Sequence, residues 1–182
     1  MADGGMSGMA QTVLGPVRPE DLGPTTTHEH LLIDMECYFE MPAEASERAW
    51  VDAPVTVDRL GGLARRLHAR DNLKLLDERS AIEEALRYKH AGGSSLVDAT
   101  SIGIARDPIG LARISRHTGV NIVMGAAHYV DPAHPADMDG RTEDEIFERI
   151  VADVTEGADG TDVKSGIIGE VGCSWPLTDN ER

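Results

Sequence analysis

Cysteine is nearly absent from this sequence. The 182-residue chain has two cysteines, Cys37 and Cys173, which are far apart and belong to no CxxC pair. A disulfide framework and a thiolate zinc site both require several cysteines at short spacings, so neither is expected. Sparing use of cysteine is typical of a reducing compartment, and we expect a cytoplasmic protein.

Long apolar runs are also missing. No stretch approaches the roughly 18 apolar residues of a membrane span, so we expect no membrane partner. The opening MADGGMSGMAQ has neither the basic start nor the apolar run of a secretory signal. We expect residues 1–10 to be a disordered tail. Residues 11–182 should form one domain, and the hydrophobic content of 41% is ordinary for such a domain.

Positive charge is scarce. The chain has 17 Lys and Arg against 32 Asp and Glu, giving a formal net charge of -15. Such a chain repels a phosphate backbone and gains nothing from counterion release, which argues against nucleic acid as a partner.

Four short segments have the composition of buried strands. They are β-branched or apolar, and most are bounded by Gly or Asp. The predicted strands are Thr25–Ile33, Ser95–Thr100, Asn121–Ala127 and Gly166–Gly172.

Helices with recognisable start signals lie between these strands. Ser80 with Glu83, and Thr142 with Glu145, have the spacing of a capping box, and Asp107 before Pro108 predicts an N-cap followed by a first-turn proline. A helix after each strand requires the strands to be parallel. The segment 36–79 is charged and only partly helical, and it is interpreted as a long insertion.

Repeated β/α units fit either a closed barrel or an open doubly wound sheet. Neither GxGxxG nor GxxxxGK[ST] follows the first strand, which favours an α/β fold of the (β/α)8 TIM-barrel type. A whole barrel takes roughly 250 residues, so the chain is expected to hold about the first four units and to be a fragment.

His28 and His30 are the first candidate metal ligands. They are two residues apart on a predicted strand, so their side chains share a face and Glu29 takes the other. Two imidazoles at the carboxyl end of a strand can bind one divalent metal. Spacing alone equally allows two half-buried histidines without a metal.

Glu170 is the third candidate. It follows the fourth predicted strand in GIIGEVG and shares a face with Ile168 under regular alternation. A solvated glutamate at a strand end is the simpler explanation when Glu170 is considered alone. A carboxylate beside an HxH pair, however, is half of a two-metal hydrolytic centre.

Three motifs in the same order resemble phosphotriesterase-related proteins of the amidohydrolase superfamily, and the resemblance covers the chain after residue 11. They are GPVRPEDLGPTTTHEHLLID (15–34), VDATSIGIARDPIGLARISRHTGVNIVMGAAHYVDPAHP (97–135) and SGIIGEVGCSWPLTDNER (165–182).

The resemblance implies two divalent metal ions, most simply zinc. It assigns His28 and His30 to the more buried ion and Glu170 to the bridge between the two ions. Phosphotriesterases and lactonases of the family have a carboxylated lysine at the bridging position. The glutamate found here is typical of the phosphotriesterase-related branch, so organophosphate triesterase activity is not expected.

The resemblance also implies a role for Tyr129, at a position where related lactonases have a tyrosine near the bridging hydroxide. An aromatic residue that only fills the barrel mouth is the alternative. No metal role is implied for His128 or His134, which are interpreted as loop histidines. The remaining histidines are expected to be surface residues: His68, His90 and His117.

The resemblance places the remaining metal ligands, two histidines and an aspartate, on strands five, six and eight, which this chain does not contain. It implies that a metal-bridging hydroxide hydrolyses an ester, lactone or amide bond of a small-molecule substrate. The chain as it stands is expected to be inactive. For a full-length form, a homodimer is left open. Two alternatives are a TatD-like metal-dependent nuclease and a non-catalytic half-barrel that acts as a remnant or binding module.

Overall fold

A computed structural model of the protein describes residues 8–63 and 69–182. Within these residues the chain forms strands β1 Ala10–Thr12, β2 Gly15–Val17, β3 Thr25–Glu29, β4 Ile33–Asp34, β5 Lys74–Leu75, β6 Ser95–Asp98, β7 Asn121–Ala126 and β8 Ile167–Ile168.

The α-helices are α1 Ala45–Arg48, α2 Leu60–Leu63, α3 Glu78–His90, α4 Pro108–Thr118 and α5 Glu143–Thr155. Short 3-10 helices span Pro19–Asp21, Glu36–Tyr38, Val57–Arg59, Arg70–Leu73, Asp131–Ala133, Met138–Gly140 and Asp179–Glu181. Across residues 8–63 and 69–182, none of these helices is long and apolar enough to cross a membrane.

The central element is a four-stranded parallel sheet in the order β3-β6-β7-β8. Helix α3 leads into β6, α4 connects β6 to β7, and α5 connects β7 to β8. This alternation confirms the predicted β/α units. Two small antiparallel pairs, β1-β2 and β4-β5, lie outside the parallel sheet.

All four parallel strands are shorter than predicted, the first and the fourth most of all. The first ends at Glu29, and the chain then forms the separate strand β4, which pairs with β5 in the insertion. The fourth ends at Ile168, because Gly169 leaves the parallel ladder and forms an antiparallel bridge with Ala126. At the other end of the domain, β1 already begins at Ala10, the last residue assigned to the tail; residues 1–7 lie outside the described residues.

Two of the three predicted helix starts are confirmed. Asp107 caps α4 by accepting the Gly110 N–H at 2.8 Å, and Thr142 forms the capping box of α5 with Glu145. The start predicted at Ser80 is wrong. Asp77 caps α3 three residues earlier, because its two carboxylate oxygens accept the N–H groups of both Arg79 and Ser80.

The hydrophobic core lies between the outer face of the sheet and the helices. Leu96 of β6 and Ile122 and Met124 of β7 pack with Leu111 and Ile114 of α4, and each of these side chains is at most 3% exposed. Alternate residues along β6 and β7 therefore face the helices, which leaves the other face of the sheet toward the barrel interior.

A buried ionic network connects the loop after β6 to α5. The Arg106 guanidinium donates to Asp153 at 2.7 Å, to Asp159 at 2.8 and 2.9 Å, and to the Gly125 carbonyl of β7 at 3.2 Å. The side chains of Arg106 and Asp153 are each 1% exposed, and Arg149 donates to both aspartates from the helix surface. Sequence reasoning did not identify this network.

Candidate metal centre

His28, His30 and Glu170 meet at the carboxyl edge of the sheet. The His28 Nε2 lies 3.1 Å from Glu170 Oε2, and the His30 Nε2 lies 3.6 Å from Oε1 of the same carboxylate. Within the described residues these three form the one group of metal-ligand side chains, with a ligand atom from each within 4.8 Å of the others. The structure therefore brings together all three predicted ligands.

The two histidines share a face as alternation requires, and Glu29 points away from them. The Glu29 carboxylate accepts the Thr26 hydroxyl at 2.9 Å and lines a cavity with Leu96 and Tyr88 on the helix side of the sheet. The side chains of His30 and Glu170 are each 24% exposed, whereas that of His28 is 58% exposed. The cluster is accessible and the His30 side is more enclosed.

Glu170 reaches the histidines because the chain turns inward after β8. The Gly169 N–H donates to the Ala126 carbonyl at 2.9 Å, and the Glu170 N–H donates to the Ala99 carbonyl at 3.1 Å. Gly169 has φ of +138°, a conformation that favours glycine. Its carbonyl oxygen occupies the space that a Cβ on Gly125 would need. Two glycines thus permit the turn that aims Glu170.

We expect Gly125→Ala to disturb this turn. The added methyl would push the Gly169 carbonyl away and with it Glu170, at a cost of about 1–3 kcal/mol in the free energy of unfolding. Urea unfolding should show the lower stability, and zinc titration should show weaker metal binding. Gly140→Ala is the matched control, since a Cβ there meets nothing within 4 Å, and equal effects of the two substitutions would contradict the assignment.

His30 is contacted on its other side by groups at the carboxyl end of β6 and on the loop that follows it. Its Nδ1 lies 3.0 Å from the hydroxyl of Thr100, a residue that is 1% exposed. The Asp98 carboxylate, at the end of β6, accepts the backbone N–H groups of Leu31 at 2.8 Å and Thr100 at 3.0 Å. Burial raises the pKa of Asp98, and these hydrogen bonds oppose the rise. Sequence reasoning missed Thr100, although its place at the end of the second predicted strand was a usable signal.

Tyr129 lies three residues beyond β7, and its hydroxyl accepts a long hydrogen bond of 3.5 Å from the Tyr38 hydroxyl. Burial raises the pKa of Tyr129, and the contact with Tyr38 and the nearby charge of Glu170 add to the rise. The phenol is therefore protonated at neutral pH and can donate a hydrogen bond. Tyr38 was not identified from the sequence.

His128 and His134 are loop residues outside the cluster, as predicted, but they are not surface residues. His128 is 6% exposed, and burial, followed by the charge of His134, lowers its pKa to about 4. The His134 Nε2 bonds to the Tyr129 carbonyl at 2.8 Å. His90 and His117 are exposed on α3 and α4 as predicted, and His68 lies outside the described residues.

The chemistry of the donor set fits a divalent metal. Zinc is bound in proteins by imidazole nitrogens and carboxylate oxygens, the atoms that converge here. A carboxylate whose two oxygens face different histidines also has the form of a bridge.

Comparison with known proteins agrees with the motifs. The profile of the Phosphotriesterase family matches residues 8–182. The N-acetyltaurine hydrolase of Xenopus tropicalis is 45% identical over 179 residues, which cover 97% of this chain and 51% of the relative. The Homo sapiens N-acetyltaurine hydrolase is 41% identical with the same coverage, 97% and 51%.

Two solved structures support the fold. A resiniferatoxin-binding protein from Rhodobacter sphaeroides superposes with a TM-score of 0.92 and 40% identity, covering 96% of this chain and 49% of that protein. A lactonase from Listeria monocytogenes superposes at 0.69 with 22% identity, covering 95% and 50%, and shows the fold alone. The predicted TIM-barrel class is confirmed, with about four of its units present. The chain spans about half the length of the curated relatives it matches.

Proposed function

The chain belongs to the phosphotriesterase family, and from this premise we propose that it carries the first half of the active site of a metal-dependent hydrolase acting on a small molecule. The observation that carries the proposal is the convergence of His28, His30 and Glu170 at the carboxyl edge of the sheet. This is the edge at which TIM-barrel enzymes have their active sites.

In this proposal His28 and His30 would hold one divalent ion, and the Glu170 carboxylate would be shared with a second. Zinc is the proposed metal, because its usual ligands are those present. When bound, such ions lower the pKa of coordinated water and polarise the bond to be cleaved. The protonated Tyr129 hydroxyl is proposed to donate a hydrogen bond to the substrate at the mouth of the site.

An N-acyl amide is the proposed substrate class. It is supported by the names of relatives that are 41–45% identical over nearly the whole chain. The likeness to a lactonase rests on 22% identity and does not favour a lactone. The cytoplasm remains the proposed compartment, on the use of cysteine alone.

A TatD-like nuclease is the less favoured enzyme, because the net charge of -15 opposes nucleic acid and the family match is to a different group. A non-catalytic half-barrel is the other alternative. This alternative predicts that no form of the protein shows metal-dependent turnover, which distinguishes it from our proposal.

The decisive experiment compares a form spanning the full length of the relatives with the 182-residue chain. We expect the long form to convert N-acetyltaurine to taurine and acetate, to lose this activity with a chelator and to regain it with Zn²⁺. The 182-residue chain should show no turnover above buffer, because its described ligands are two histidines and one carboxylate.

Two results would count against this proposal. Turnover that a chelator leaves unchanged would exclude the metal mechanism. Equal turnover by the 182-residue chain would exclude the requirement for further ligands.

A further inference from the structure

The Thr100 hydroxyl is a buried polar group directly behind a proposed metal ligand. It lies 3.0 Å from the Nδ1 of His30 and 3.3 Å from the carbonyl oxygen of Leu32, and the residue is 1% exposed. Thr100 is separated from His30 by 70 positions in the sequence, and β6 brings the two together through its pairing with β3. The hydroxyl takes no part in the cluster itself.

The hydrogen-bond partners determine whether the Thr100 hydroxyl donates to His30 or accepts from it. A hydroxyl has one proton to donate and can also accept, whereas the Leu32 carbonyl can only accept. With its proton directed to Leu32, the hydroxyl presents a lone pair to His30. The His30 Nδ1 must then carry the ring proton, and a neutral imidazole with a proton on Nδ1 has a lone pair on Nε2.

The free nitrogen faces the proposed metal position. The His30 Nε2 is directed toward Glu170 at 3.6 Å, which is too long for a hydrogen bond that would favour a proton there. We infer that Thr100 is a positioning residue that holds His30 in the tautomer with a proton on Nδ1 and the lone pair of Nε2 aimed at the cation. The inference rests on the proposed function for its purpose, but its first test needs no metal.

Asp98 keeps this arrangement rigid. Its two carboxylate oxygens accept the N–H groups of Leu31, next to His30, and of Thr100 itself. One buried carboxylate thus fixes the backbone on both sides of the contact between His30 and Thr100. Outer partners of this kind orient a ligand and typically change metal affinity by about 10–100-fold when removed.

The first test is the nitrogen spectrum of His30 in the metal-free 182-residue chain. At about pH 8.5, where free imidazoles are neutral, ¹⁵N-labelled histidine should show His30 with its proton on Nδ1. Thr100→Val should shift the ring toward the other tautomer, and Thr100→Ser should restore the wild-type spectrum. A wild-type His30 with its proton on Nε2 would overturn the inference without any variant, so it does not depend on the folding of Thr100→Val.

The second test is Zn²⁺ affinity of the same chains by calorimetry. Thr100→Val should raise the Kd by about 10–100-fold, and Thr100→Ser should bring it back to near the wild-type value. Thr118→Val is the matched control, because its hydroxyl is also buried and donates to a backbone carbonyl, that of Ile114, away from the site. Equal Kd values for wild type and Thr100→Val would overturn the inference.

The two proposals fail separately. A full-length form without metal-dependent hydrolysis would remove the proposed function while leaving the tautomer of His30 intact. A proton on Nε2 of His30 would remove the role of Thr100 while leaving the hydrolase proposal standing.

Discussion

Replacing Glu170 with glutamine in a full-length form should lower kcat/KM by at least roughly 100-fold and reduce the bound zinc. Both oxygens of this carboxylate face histidines of the cluster, at 3.1 and 3.6 Å. Glutamine keeps the size of the side chain but has one carbonyl oxygen and no charge, so it cannot bridge and neutralise two cations. Steady-state kinetics and elemental analysis of the purified variant measure the two effects.

Glu29→Gln is the matched control for this substitution. It makes the same chemical change at an exposed glutamate of β3 that points to the helix side and accepts the Thr26 hydroxyl. We expect its kinetics and zinc content to be close to wild type. If both substitutions reduced activity equally while the folds stayed intact, the choice of Glu170 as the bridge would be wrong.

Arg106→Met should lower the free energy of unfolding by about 3–5 kcal/mol. The guanidinium is 1% exposed and donates to Asp153, Asp159 and the Gly125 carbonyl. Without it the Asp153 carboxylate, also 1% exposed, keeps only Arg149 as a cationic partner among the residues that the structure describes. An incompletely compensated buried charge is much more costly than the loss of an exposed ion pair. Urea unfolding of the wild-type and variant chains measures the difference.

Arg113→Met provides the comparison for Arg106. Arg113 also makes a two-pronged contact with a carboxylate, that of Glu78, but its side chain is 46% exposed. Solvent screens such an ion pair, so Arg113→Met should lower the free energy of unfolding much less than Arg106→Met does. A loss below about 1 kcal/mol for Arg106→Met would show that the network contributes little net stability.

The sequence by itself determined most of the local structure. Strand composition located the four parallel strands, and the signals at Asp107 and Thr142 located two helix starts. These are short-range effects, because a strand alternates every two residues and a cap is satisfied within three or four. The same alternation placed His28 and His30 on one face and Glu29 on the other.

Local reasoning failed where two short-range signals competed. Ser80 with Glu83 has the spacing of a capping box, but the Asp77 carboxylate accepts two backbone N–H groups and starts α3 earlier. Local reasoning also failed at the fourth strand, where the apolar composition of Gly166–Gly172 predicted a strand over the whole segment but β8 ends at Ile168. The antiparallel bridge between Gly169 and Ala126 ends it, and that contact depends on the neighbouring strand.

Only the tertiary structure decided how the site is supported. Glu170 reaches His28 through a turn that follows β8 and is held against β7, Thr100 reaches His30 across 70 positions, and Arg106 joins Asp153 across 47. Such contacts follow from the order of strands in the sheet, their register and the direction of individual side chains, none of which is encoded in the spacing of neighbouring residues. The sequence motifs therefore identified the proposed ligands, while the packing of separate β/α units selected the groups that contact them.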